Sequence, residues 1–214
     1  MKARIIKRMM TGVLAAALVM APMMSVSAAT TVAGNTEDVV AEATSGTSSE
    51  TVAEIPSTST VAGTKSTVSG VYLATSVSGS AITTSTAAIK EGYALANNET
   101  PYAKFSDLDA KKSPLAKQAI DLAAASQGAV VGPMLNVELG KMTAGKYSLL
   151  PSDGATIRLS FGVPKNFAQA DVTYAVVCVR AGGAVSILTD LDSNPNTVTF
   201  DTTGGAGAYA IIKY

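Results

Sequence analysis

From Ala129 to the C-terminus the chain is a train of short apolar runs, each broken after a few residues by turn formers. The runs are Ala129–Val131, Met134–Leu139, Tyr147–Leu150, Thr156–Phe161, Val172–Arg180, Ala184–Asp190, Thr197–Asp201 and Ala208–Lys213. Between them lie Pro151-Ser152-Asp153-Gly154, Pro164-Lys165-Asn166, Ala181-Gly182-Gly183 and Ser193-Asn194-Pro195-Asn196. Runs this short cannot be core helices, and their apolar residues alternate. Ile157, Leu159 and Phe161 share one side of a strand, as do Val198 and Phe200. Short strands at regular spacing with turn chemistry between them predict a mainly antiparallel, immunoglobulin-like β-sandwich.

The stretch from Gly70 to Leu150 adds helices, which makes the class α+β. Val71–Val77 and Ala81–Thr84 are β-like, and Ser78-Gly79-Ser80 between them suggests a hairpin. Ala87–Leu95 is a modest helix. Residues 113–127 form the better one: Ser113 suits the N-cap and Pro114 the first helical position, where a missing N–H costs nothing. Leu115, Ala119, Leu122 and Ala123 recur at near-helical spacing, with Ile120 widening the stripe, and Gly128 supplies the stop. One or two helices should pack at one end or face of the sandwich. The expected organisation places an α+β segment at 70–150 and the C-terminal sandwich portion at 151–214, in one continuous folded unit.

The N-terminus is an address. Lys2, Arg4, Lys7 and Arg8 precede an apolar stretch from Gly12 to Met24, followed by Ser25-Val26-Ser27-Ala28-Ala29. Charge, apolar run and small residues in that order predict a cleavable signal peptide over residues 1–28, cut after Ala28 or Ala29. The apolar run is shorter than the ~20 residues of a spanning helix, and Pro22 interrupts it. The protein is therefore expected outside the cell or at its envelope. Residues 29–69, rich in Ser, Thr, Ala, Val and Gly, read as a disordered linker, because they cannot bury enough apolar surface to offset chain entropy.

Removing the leader also decides the charge. The full chain is neutral, with 16 basic and 16 acidic residues; four basic and no acidic residues leave with the leader, so the remainder is acidic by four charges. That excludes nucleic acid and membrane as expected partners, since both recruit clustered positive charge. A protein, cell-wall or glycan ligand is left.

The last third carries a family rhythm: Ile157–Pro164, a strand ending in Val-Pro; Tyr174–Arg180 and Val185–Leu188, a hairpin of two apolar strands; then Thr197-Val198-Thr199-Phe200 and Ala208–Ile212. In this it resembles a C-terminal β-sandwich module of uncharacterised secreted proteins of clostridia and related Gram-positive gut bacteria. Two features depart from the pattern. The second hairpin strand lacks a tryptophan, and Gly204-Gly205-Ala206-Gly207 replaces a Ser-rich lead into the last strand. The resemblance implies secretion and a sandwich fold, and it implies no catalytic residues.

No catalytic, cofactor or metal residue is assigned. The chain has no His, which removes the commonest general base and metal ligand, and with them a His-dependent serine hydrolase. Cys178, the single cysteine, sits in an apolar run and reads as core. Gly140–Lys146 has P-loop spacing, but Tyr147 follows where a Ser or Thr is needed. Asp190, Asp192 and Asn194 echo a calcium loop, but Pro195 stands where the sharp turn needs Gly, and calcium is not assigned. The seven tyrosines could stack on sugars or pack the sandwich. The expected function is a non-catalytic, surface-associated module for binding or a structural role. The alternative is a small carboxylate-dependent glycan hydrolase using two of Glu99, Asp107, Asp109 and Glu138.

Overall fold

The computed structural model describes residues 56–214; the expected signal peptide and most of the expected linker, residues 1–55, lie outside the described residues. In chain order come β1 (Thr60–Val61), β2 (Thr64–Lys65), β3 (Gly70–Tyr72), β4 (Ser80–Ile82), helix α1 (Thr86–Gly92), β5 (Glu99–Asp107) and helix α2 (Pro114–Ser126). They are followed by β6 (Val130–Thr143), β7 (Lys146–Leu149), β8 (Ile157–Gly162), β9 (Tyr174–Arg180), β10 (Val185–Thr189), β11 (Thr197–Thr202) and β12 (Gly205–Lys213).

Alternation fixes the faces. Antiparallel pairing sets Val198 opposite Phe161 and Phe200 opposite Leu159, so the inward residues of β8 and β11 fall on one side. Ile82 of β4 joins them opposite Leu159. This three-stranded sheet, β11-β8-β4, lies over a larger one ordered β10-β9-β12-β6-β5-β3, with β7 paired to the far end of β6. The larger sheet contributes Phe105 of β5, Leu135, Val137 and Leu139 of β6, Val176 and Cys178 of β9, and Tyr209 and Ile211 of β12 to the space between the sheets. They are buried against Ile157, Leu159, Phe161, Val198 and Phe200 of the smaller sheet. Phe161 sits at the centre, its ring 4.9 Å from that of Phe200, 6.3 Å from Phe105 and 6.4 Å from Tyr209.

The larger sheet is buried on its other face too. Ala175, Val177 and Val179 of β9 and Ala208, Ala210 and Ile212 of β12 turn away from the sandwich and meet Ile120 and Ala124 of α2. Burial on both faces is why these strands are almost continuously apolar. The fold is an α+β sandwich with α2 laid on the outer face of its larger sheet.

Five details differ from the sequence reading. On α2 the stripe is rotated: Leu115 and Leu122, expected on it, are exposed, and Ile120 and Ala124 meet the sheet. The linker expected to reach residue 69 gives way earlier: β1 and β2 form a hairpin, and Val61 and Val68 are buried. Two valines in a Ser/Thr background are too sparse a pattern to stand out. The expected β3–β4 hairpin does not form. β3 pairs in parallel with β5, β4 pairs with β8, and the chain changes sheets between them. Gly79 makes the corner with φ +94, and a Cβ there would lie 2.3 Å from the Thr60 carbonyl oxygen. Strand β5 has no counterpart among the predicted runs, because its inward residues are only Pro101, Ala103 and Phe105. The runs expected at 129–131 and 134–139 join into one strand through Pro133. The P-loop-like segment is a hairpin turn between β6 and β7, with Ala144 and Gly145 both at positive φ.

Candidate functional site

The part of the large sheet's outer face that α2 leaves bare is the candidate site. Register brings together residues from neighbouring strands: β5 sets Lys104 opposite Glu138 and Ser106 opposite Asn136, while β12 sets Ala206 and Ala208 on the other side of the same two residues. The small side chains of β12 leave a trough of about 370 Å³, bounded by Ser106, Ala116 of α2, Asn136 and Glu138. Asn136 and Ser106 make no side-chain hydrogen bond among the described residues.

An aromatic platform adjoins the trough. Gly140 lets the Tyr147 ring lie flat on β6, since a Cβ at that position would lie 2.4 Å from the ring. The Lys104 ammonium stands 3.8 Å above the Tyr147 ring centre and 3.4 Å from a Glu138 oxygen. Tyr102 packs edge-on at 6.0 Å between ring centres. The Tyr147 hydroxyl is buried with no hydrogen-bond partner among the described residues. Burial pushes its pKa up, and the Glu138 charge adds to the effect. The arrangement offers an aromatic edge, one cation, one anion and an amide. Such a set can hold a neutral polar chain.

No family model matches the chain, and no curated protein or solved structure matches it significantly.

The carboxylates considered for hydrolysis are Glu99, Asp107, Asp109 and Glu138, and Glu138 pairs with Lys104. Glu99 and Asp107 stand at opposite ends of β5, roughly 26 Å apart at the usual strand rise, beyond the span of a glycosidase pair. Glu99 bonds Lys141, Thr143 and the Ala96 amide, and the Lys141 ammonium holds its pKa down. Burial would raise Asp107, but hydrogen bonds from Ser76 and Thr75 outweigh it and hold the carboxyl low. The Lys111 amide does the same for Asp109. A general acid needs the opposite shift. Cys178 is buried, and burial pushes its thiol up, away from reactivity.

The calcium-like loop has a structural role. Asp190, Asp192 and Asn194 each accept a hydrogen bond from the amide two residues on, forming three successive turns of the same kind. Asp190 also accepts the Thr199 amide at 2.9 Å, and Asp192 accepts the Thr197 hydroxyl at 3.0 Å. Burial raises the Asp190 pKa, and the amide bonds oppose that rise. The three side chains line a pocket of about 300 Å³ with Asp171 and Tyr174. Among the described residues no group of three His, Cys, Asp or Glu side chains is placed to hold a metal ion. A loop whose oxygens already accept amides should gain nothing from calcium. The melting temperature is expected to be the same in chelator and in millimolar calcium, and a rise with calcium would sink this account.

Proposed function

We propose that this chain is a secreted or surface-associated, non-catalytic β-sandwich module that binds a neutral glycan of the cell envelope along the bare outer face of its larger sheet. The observation that carries the proposal is the trough at Ser106, Asn136 and Glu138, with the Tyr102–Tyr147 pair further along the same face of β5 and β6. Tyr102 can present an apolar face to a sugar ring and its hydroxyl to the sugar's, with the Lys104-capped Tyr147 packed behind it, and an amide can both donate and accept. The leader-like N-terminus and the acidic remainder of the chain support an extracellular setting.

Binding to insoluble cell wall and to a panel of neutral polysaccharides tests the proposal. Tyr102→Ala and Asn136→Ala should each weaken retention about tenfold, equivalent to ~1.4 kcal/mol. No new reducing ends should appear. Retention unchanged in both variants would refute the site, and steady release of sugar would favour the hydrolase instead.

A further inference from the structure

The sandwich has several strand edges, and the chain seals most of them itself. At β3, Gly70 and Tyr72 donate their amides to the Ser57 and Pro56 carbonyls. At β4, the Ser80 and Ile82 amides go to the Ser59 and Ser66 hydroxyls, and the Ile82 carbonyl accepts the Thr67 amide. At β11, Leu191 donates to the Thr199 carbonyl, while Asp190 takes the Thr199 amide. The short β7 carries Lys146, a charge that discourages pairing.

β10 has no such protection. Val185-Ser186-Ile187-Leu188-Thr189 contains no charge, no proline and no glycine, and it pairs with β9 without a register shift. The Arg180 amide donates to the Ala184 carbonyl, which fixes the phase of the ladder. Ser186 and Leu188 therefore bond to β9, and Val185, Ile187 and Thr189 turn their amides and carbonyls outward. The Val185 and Ile187 side chains, 43% and 38% exposed, extend the apolar layer beside α2. An open, regular, uncharged edge is a template for another strand.

We infer that β10 pairs antiparallel with β10 of a second copy of this chain, about a two-fold axis at Ile187. The outward phase fits this axis: Ile187 faces its own copy, and Val185 faces Thr189, all three as hydrogen-bonded pairs. The axis brings no like charges together. The acidic loop beginning at Asp190 in each copy meets the neutral Ala181–Gly183 turn of the other. A two-fold contact of this kind closes on itself and leaves no further edge to propagate. The inference is independent of the glycan site.

Sedimentation equilibrium of protein produced from the full-length sequence tests it. The expected mass is twice that of the single chain. Ile187→Pro removes only an outward amide, and Ile187→Lys sets two like charges across the axis. Both should sediment as monomers, with far-ultraviolet circular dichroism unchanged for Ile187→Lys. A wild-type monomer at high micromolar concentration would overturn the inference, as would a dimer that survives Ile187→Lys.

Discussion

Phe161→Ala is expected to cost about 4 kcal/mol of folding stability, the range for deleting a fully buried phenyl ring. Phe161 is fully buried, and its ring meets the small sheet through Phe200 and the large sheet through Phe105 and Tyr209. Those neighbours belong to strands held by their own hydrogen bonds, so they cannot collapse into the vacated space. For a folded body of this size the melting temperature should fall by about 12 °C. Leu122→Ala is the control. Leu122 lies on α2 with two-thirds of its surface in water, so its loss should be small. Urea unfolding of the two variants makes the comparison. A Phe161→Ala loss under ~1 kcal/mol would mean that the two sheets do not meet at this ring.

Phe161 is also among the residues whose role is legible from the chain alone. Where a strand buries one face, as β8 and β11 do, Ile157, Leu159, Phe161, Val198 and Phe200 write that face into the sequence. β9 is visible for the opposite reason, since burial between the small sheet and α2 makes its run apolar throughout. The Pro114 start of α2 is visible because proline chemistry is local. Sheet membership is not visible. Nothing in Val71 or Ala81 says that one joins β5 and the other β8, because a partner far along the chain decides it. β5 is hidden because small Ala103 and Pro101 can line a core without looking apolar. The candidate site is least legible of all. Asn136, Lys104, Ala206 and Tyr147 come from four strands, and only register makes them neighbours. Tyrosines can be named as possible sugar contacts, but the sequence does not say which two share a platform.

Arg180→Met should cost about 3 kcal/mol, although the substitution keeps most of the side chain's volume. Arg180 closes one end of the sandwich. Its guanidinium donates to the Gly204 and Thr203 carbonyls, each at 2.9 Å, and to the Thr202 hydroxyl at 2.7 Å. These acceptors lie at the corner where the chain leaves β11 in the small sheet and enters β12 in the large one. The guanidinium also stands 5.6 Å from the Tyr209 ring centre, and the Tyr209 hydroxyl lies 2.9 Å from Thr202. Methionine would leave two partly buried carbonyls without a donor, and that penalty exceeds the contribution of the bonds themselves. Lysine cannot replace the fork, because one ammonium on a flexible stem does not reach acceptors spread over three residues. Arg180→Lys should therefore recover less than half of the loss. Thr202→Val removes an acceptor shared with Tyr209, so a cycle of the two variants should show a coupling of about 1 kcal/mol. Additive losses would mean that Arg180 holds only the backbone of the corner. A loss within ~0.5 kcal/mol for Arg180→Met would mean that the corner holds without it.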